Sequence, residues 1–249
     1  MPKCKIKNMK TRIFIILIFL SIQVIGQEKD DILNNFEYPV YLKESVKKND
    51  FTSKYLSYNF SALLTPKRDF LGYIGKKYRR IHIYYTSISK DSISQKKYFV
   101  EGKSLVGNNV CDFKGEIQIE QIREYKSIDF GVDNMYENEG YKAQGILIGK
   151  YKFKEDPEQN HSGIFEGLMA FYWYVDKYGI VHYDRINWNS DSFRNNQYVG
   201  EWTEYGKRIG KTCNWGEYRI PFSGDLDIGA GGFSPNSKYK DMGWKPIGE

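Results

Sequence analysis

A period of two governs this chain from Phe70 onward. In residues 80–88, Ile81, Ile83 and Tyr85 fall on one face, while His82, Tyr84 and Thr86 fall on the other. A strand buries one face with that period and a helix cannot. The same reading predicts strands over 97–106, 112–124, 143–154, 163–176, 180–188, 197–204 and 211–219. Gly107-Asn108-Asn109 and Lys177-Tyr178-Gly179 are turn signals between them, because Gly and Asn tolerate positive φ. Within 112–124, Phe113, Ile117 and Ile119 share a face, and the period then brings Gln121 inward although Ile122 is the apolar residue. A bulge there would restore the register. Segment 163–176 is apolar on both faces, with Phe165, Met169, Phe171, Trp173 and Val175 on one and Ile164, Leu168, Ala170, Tyr172 and Tyr174 on the other. It is expected to be covered on both sides. Strands with short turns and no alternating helices predict an all-β fold: an antiparallel meander closed as a barrel or strongly bent, with a two-sheet β-sandwich as the alternative.

The rest of the chain frames this domain, expected over 70–219. Residues 1–26 read as a signal peptide, with Lys3, Lys5, Lys7, Lys10 and Arg12 preceding the apolar run from Ile13 to Leu20. Segment 27–69 is polar and irregular, broken by Pro39 and Pro66, with a short helix expected near 56–64. The Gly-rich tail 220–249 is expected to pack on the domain through Phe222, Phe233, Tyr239 and Trp244. The leader also decides the charge argument. Removing its five basic residues from the 37 leaves 32 against 31 acidic, so a net charge of +6 falls to +1. A nucleic-acid partner inferred from the basic pI would be an artefact of the leader. No later segment reaches the roughly 18 apolar residues of a membrane span. The expectation is an exported protein of the periplasm or extracellular space, without stable membrane insertion after signal cleavage.

The chemistry-bearing residues are sparse. Cys111 and Cys213 form a candidate disulfide in an oxidising compartment, the alternative being two buried thiols. His82, His161 and His182 lack metal-ligand spacing. Asn187-Trp188-Asn189-Ser190-Asp191 begins like a calcium loop, but Ser192 and Tyr198 stand where that loop needs Gly and Glu. Asp225 and Asp227, beside Gly229-Ala230-Gly231-Gly232, and Glu166 are the carboxylates worth weighing for a hydrolase. Neither a nucleophile elbow nor a catalytic cysteine context occurs, so no catalytic residue is assigned, and no cofactor or metal is called for. The surplus of aromatics carries more information. Tyr172, Tyr174, Tyr183, Trp188, Trp202 and Trp215 are expected to line a concave site, since aromatic faces bind sugars and apolar molecules while Tyr hydroxyls orient them.

Phe70-Leu71-Gly72-Tyr73, preceding an antiparallel meander, resembles the opening of lipocalin-type barrels, with Tyr73 in place of that family's Trp. The resemblance implies a lipocalin-like barrel that binds a small apolar molecule inside. Tyr198-Val199-Gly200-Glu201-Trp202 followed by Gly206-Lys207-Arg208-Ile209-Gly210 is similar to one MORN repeat, which implies a hairpin over 198–215. The whole chain also resembles uncharacterised exported bacterial β-proteins, which implies no activity. The function expected is a non-catalytic binding module for a small apolar or carbohydrate ligand. The alternatives are an inhibitor or immunity-type factor that binds another exported protein in the cell envelope, and a carboxylate-dependent hydrolase.

Overall fold

The structure, a computed structural model, describes residues 31–245; the expected signal peptide lies outside them. The unit beginning at Asn35 carries the whole sheet. Its strands are β1 (Leu71–Ile74), β2 (Arg79–Lys90), β3 (Lys97–Val106), β4 (Asn109–Glu124), β5 (Ala143–Glu155), β6 (Gly163–Val175), β7 (Val181–Tyr183), β8 (Asn195–Glu204) and β9 (Lys211–Glu217). Consecutive strands pair antiparallel from β1 to β6. The far side of β6 pairs with β8 along its first half and β7 along its end, and β9 returns to β1. The result is a closed eight-strand barrel with β7 as an extra strand, not a sandwich. Closure removes the unpaired edges that an open sheet would present.

Local chemistry sets the register. Gly107 takes φ +61° at the first central position of the β3–β4 turn, the II′ arrangement that matches strand twist. The β4–β5 ladder shifts between Ile119 and Gln121, which is the expected bulge, and Ile122 is fully buried. Aromatic side chains lie across glycines one or two strands away. A Cβ on Gly102 would sit 2.5 Å from the Phe113 ring, and one on Gly200 would sit 2.6 Å from the Tyr151 hydroxyl. The wall therefore thins to backbone where the interior is widest in side chains.

The terminal segments cover the barrel differently. Helices α1 (Val40–Ser45), α2 (Thr52–Tyr55) and α3 (Ser61–Leu64) replace the one helix expected near 56–64. Tyr55, Phe60 and Leu64 plug one barrel end: the Tyr55 ring lies 4.5 Å from Trp173, and Phe60 N–H donates to the Tyr98 hydroxyl at 3.2 Å. Tyr38 packs against Tyr172 on the outer face of β6, which helps to give that strand its second covered face, and Val46 bridges to Tyr125 just after β4. The tail clasps β1 from outside through Leu226, Phe233, Tyr239 and Trp244, whereas Phe222 is exposed.

Two expectations change. The predicted strand 180–188 stops at Tyr183, because the Asp184 carboxylate accepts from Ile186 N–H at 3.0 Å and turns the chain. Cys111 and Cys213 are free buried thiols, not a disulfide. Cys111 lies on β4 and Cys213 on β9, with β3, β2 and β1 between them in the wall. Four positions apart in a ring of eight strands, the two stand on opposite sides of the barrel.

Candidate functional site

The barrel end opposite the plug is open. Ile74, Ile81 and Phe165 form the apolar part of a cavity of about 460 Å³, with Trp202 beside them. Such a volume suits a small ligand. At its wall is Glu155, the last residue of β5, in phase with the inward-facing Tyr151 and Phe153. Its carboxylate accepts hydrogen bonds from Ser104 Oγ, from Trp202 Nε1 at 2.8 Å and from Gly163 N–H at 2.7 Å. Burial pushes the Glu155 pKa upward, and these three donors only partly offset it. Among the described residues, no cation is bonded to Glu155. At the rim, His161 Nδ1 lies 3.3 Å from Glu204 Oε1, and Lys211 Nζ sits 4.9 Å from the centre of the Trp202 ring. Arg79 and Lys211 balance Glu155 and Glu204 around the opening. The arrangement offers an apolar floor, an indole, and donors and acceptors of both charge signs.

The six aromatic residues expected to line one concavity are not brought together. Trp202 alone reaches the mouth. Trp215 is fully buried in the core, stacked on Tyr198 at 4.8 Å. Tyr183 is buried and donates to Glu217 at 3.0 Å. Tyr172 borders a second cavity on the flank, and Tyr174 stacks between Tyr141 and His182. Trp188 is exposed in a separate surface groove. Period two explains part of the scatter: Tyr172 and Tyr174 share the outer face of β6, whereas Tyr183, Trp202 and Trp215 pack in the barrel core.

The carboxylates weighed for hydrolysis have structural partners. Glu166 is exposed and pairs with Lys152 at 2.8 Å. Asp227 receives Arg219 at 2.6 Å, and the same guanidinium donates to the carbonyls of Gly229, Ala230 and Gly231, so the glycine run wraps an arginine. Asp225 bonds Lys238 and the Tyr239 hydroxyl. His182 bonds Asp176 at 2.8 Å, while burial lowers the pKa of His82. Asn187 Nδ2 in the calcium-like loop donates to Asp129 at 2.7 Å. Among the described residues, no group of three or more His, Cys, Asp or Glu side chains is placed to hold a metal ion, and no helix is long and apolar enough to cross a membrane.

Sequence reasoning missed Glu155, Ser104 and Glu204. The signal was present for the first two: each is a polar residue at an inward position of an alternating strand. Ser104 follows Tyr98, Val100 and Gly102 in phase, and Glu155 follows Phe153. Ending the fifth strand at Lys154 hid Glu155. In comparisons with known proteins, no family model, no curated protein and no solved structure matches this chain.

Proposed function

We propose that the protein is an exported binding module that holds a small, hydroxylated ligand of carbohydrate type in the open barrel mouth, without covalent chemistry. The observation that carries this reading is the asymmetry of the barrel: one end is filled by Phe60 and Leu64, while the other opens onto Trp202, Phe165 and the buried Glu155. An indole beside a hydrogen-bonding carboxylate serves a sugar ring, whose faces are apolar and whose rim is polar. The balanced charge at the rim favours a neutral ligand over an ionic one, and the carboxylate at the wall argues against a plain hydrocarbon. Glycan-array binding followed by tryptophan fluorescence titration tests it. The expected result is a saturable signal that Trp202→Phe weakens about tenfold, with the native circular dichroism spectrum retained despite the lost indole bond to Glu155. Failure of every neutral glycan to bind, or binding indifferent to Trp202→Phe, rejects the reading.

A further inference from the structure

The surface groove that holds Trp188 has a volume of about 780 Å³ and shares no residue with the mouth. Its walls come from the start of β1, the loop carrying Trp188 and the C-terminal tail. Trp188 stands 58% exposed in it. Two arginines share the groove with this indole: Arg68, just before β1, and Arg80, near the start of β2.

Two features set this groove apart. The first is that both guanidiniums are held on aromatic rings. That of Arg68 sits 4.6 Å from the centre of the Tyr218 ring, and that of Arg80 sits 4.8 Å from the centre of the Trp244 ring. The rings are themselves fixed. Trp244 is buried, and its Nε1 donates to the Tyr78 carbonyl at 2.7 Å. Tyr218 packs edge-on to Phe193 at 4.7 Å and keeps a left-handed backbone, φ +69°, which is strained for a bulky residue. The stem of Arg80 is pinned as well, since a Cβ on Gly243 would lie 3.3 Å from it. A guanidinium fixed in this way loses little freedom when an oxyanion binds. The second feature is that neither guanidinium has an acceptor. Among the described residues, no oxygen receives a hydrogen bond from the side chain of Arg68 or Arg80, and no carboxylate pairs with either. Arg219 is the contrast, taken up by Asp227 and the carbonyls of the glycine run. Arg80 is half-buried, and burial lowers its pKa, while Tyr84 and Asp69 oppose that only at a distance. Donors of a half-buried guanidinium that lack a protein acceptor beside a cavity point to an acceptor that enters it. Asp69 and Asp191 also border the groove, against Arg68, Arg80 and Lys245, so its described lining has an excess of basic groups.

We propose that this groove binds a small molecule in which a phosphate monoester is joined to a flat apolar ring. The two guanidiniums would donate to the phosphate oxygens, and the Trp188 indole would cover the ring. A phosphate monoester carries about two negative charges and three acceptor oxygens, so it serves both arginines, whereas one carboxylate suits one guanidinium fork. The ligand thus supplies both the missing acceptors and a partner for an exposed indole. The mouth, with balanced charge, is suited to a neutral molecule, whereas the groove is suited to an anion.

Calorimetric titration of the full chain tests this with three probes: phenyl phosphate, inorganic phosphate and phenol. Phenyl phosphate is expected to bind at one site, about tenfold or more tighter than either of the others. Arg68 is exposed, so Arg68→Gln should keep the native circular dichroism spectrum while weakening phenyl phosphate about tenfold. Arg68→Lys keeps the charge but loses the fork, and it should recover only part of that loss. Trp188→Ala should bring phenyl phosphate down to the level of inorganic phosphate, and Trp202→Phe in the mouth should not affect it. Phenol binding as tightly as phenyl phosphate overturns the assignment of charge. Inorganic phosphate binding as tightly as phenyl phosphate overturns the role of Trp188. No binding of phenyl phosphate at millimolar concentration, or binding indifferent to Arg68→Gln, overturns the site.

Discussion

The two ends of the barrel place a glutamate in opposite situations. At the plugged end, Glu124 closes β4 and receives Lys47 at 2.8 Å, Lys54 at 2.6 Å and the Tyr55 hydroxyl at 2.6 Å. Burial pushes its pKa up, but those donors outweigh burial and hold it down at about 2. At the open end, Glu155 has three neutral donors and no cation, so burial prevails and its pKa rises. The comparison separates a carboxylate that fastens the fold from one that the fold carries at a cost. Cations placed by the N-terminal segment make the difference. They lie on the same stretch of chain that inserts Phe60 and Leu64, so one segment both closes the barrel end and neutralises Glu124.

The largest expected effect that would break the comparison lies in the plug. Phe60 is fully buried against Phe171 at a ring separation of 6.4 Å. Phe60→Ala should destabilise the protein by about 3–5 kcal/mol, the usual loss for a large core aromatic. Urea unfolding measures it. A loss below about 1 kcal/mol would show that the plug is not part of the folding unit, and the contrast between the ends would collapse.

Next in size is Glu124→Gln. The amide keeps the shape but loses the charge that orders both lysines and the Tyr55 hydroxyl, and about 1–3 kcal/mol should be lost. The two lysines are well exposed, so most of the loss belongs to the buried Tyr55 bond and not to the ion pairs. The pH dependence is more telling. A carboxylate whose folded pKa is depressed contributes stability above its unfolded value, near 4.5, and that contribution drains away as pH falls toward 2. Glu124→Gln should therefore flatten the acid limb of the stability curve between those values, as followed by urea midpoints.

These expectations also show what the sequence can and cannot say. The strands were legible because alternation is a local property: 97–106 matches β3 at both ends, and the bulge at Ile119–Gln121 followed from one misplaced Ile. The hairpin over 198–215 followed from its glycines. The plug was not legible, because Phe60 and Leu64 sit in short helices whose burial depends on a barrel end far along the chain. The site was legible only in part. Trp202 could be named from its chemistry, but its grouping with Tyr172 and Trp188 could not be excluded without knowing which side of the wall each faces. Glu155 needed one more residue of strand to be recognised as inward.

A smaller effect is expected from Glu155→Gln. Ser104 can turn its hydroxyl to accept from the new amide, while Trp202 and Gly163 still donate to the remaining oxygen. Less than about 1 kcal/mol should change near neutral pH, against the clear loss at Glu124. The pH signature has the opposite sense. A raised folded pKa means that the native state holds the proton more tightly, so stability is greatest below pH 4.5 and declines as pH rises through the shifted value. Removing the titration should lift the curve on the alkaline side of that window. If both variants flattened the same acid limb, the two ends would not differ in the way argued.

The smallest effect on stability is expected at the rim and has the most bearing on function. Lys211 is exposed, and its ammonium covers the Trp202 ring at 4.9 Å. An exposed cation–π contact contributes about 0.5–1 kcal/mol, so Lys211→Ala should shift the unfolding midpoint by no more than that. Its effect on binding should run the other way. A sugar that stacks on the indole must displace the lysine from the ring, so removing the lysine removes a competitor, and affinity for a neutral glycan should rise severalfold in fluorescence titration. A fall in affinity would mean that Lys211 donates to the ligand, and that the indole acts as a wall and not as the stacking surface. Either result fixes the orientation of the bound molecule at the barrel end that the described residues leave open.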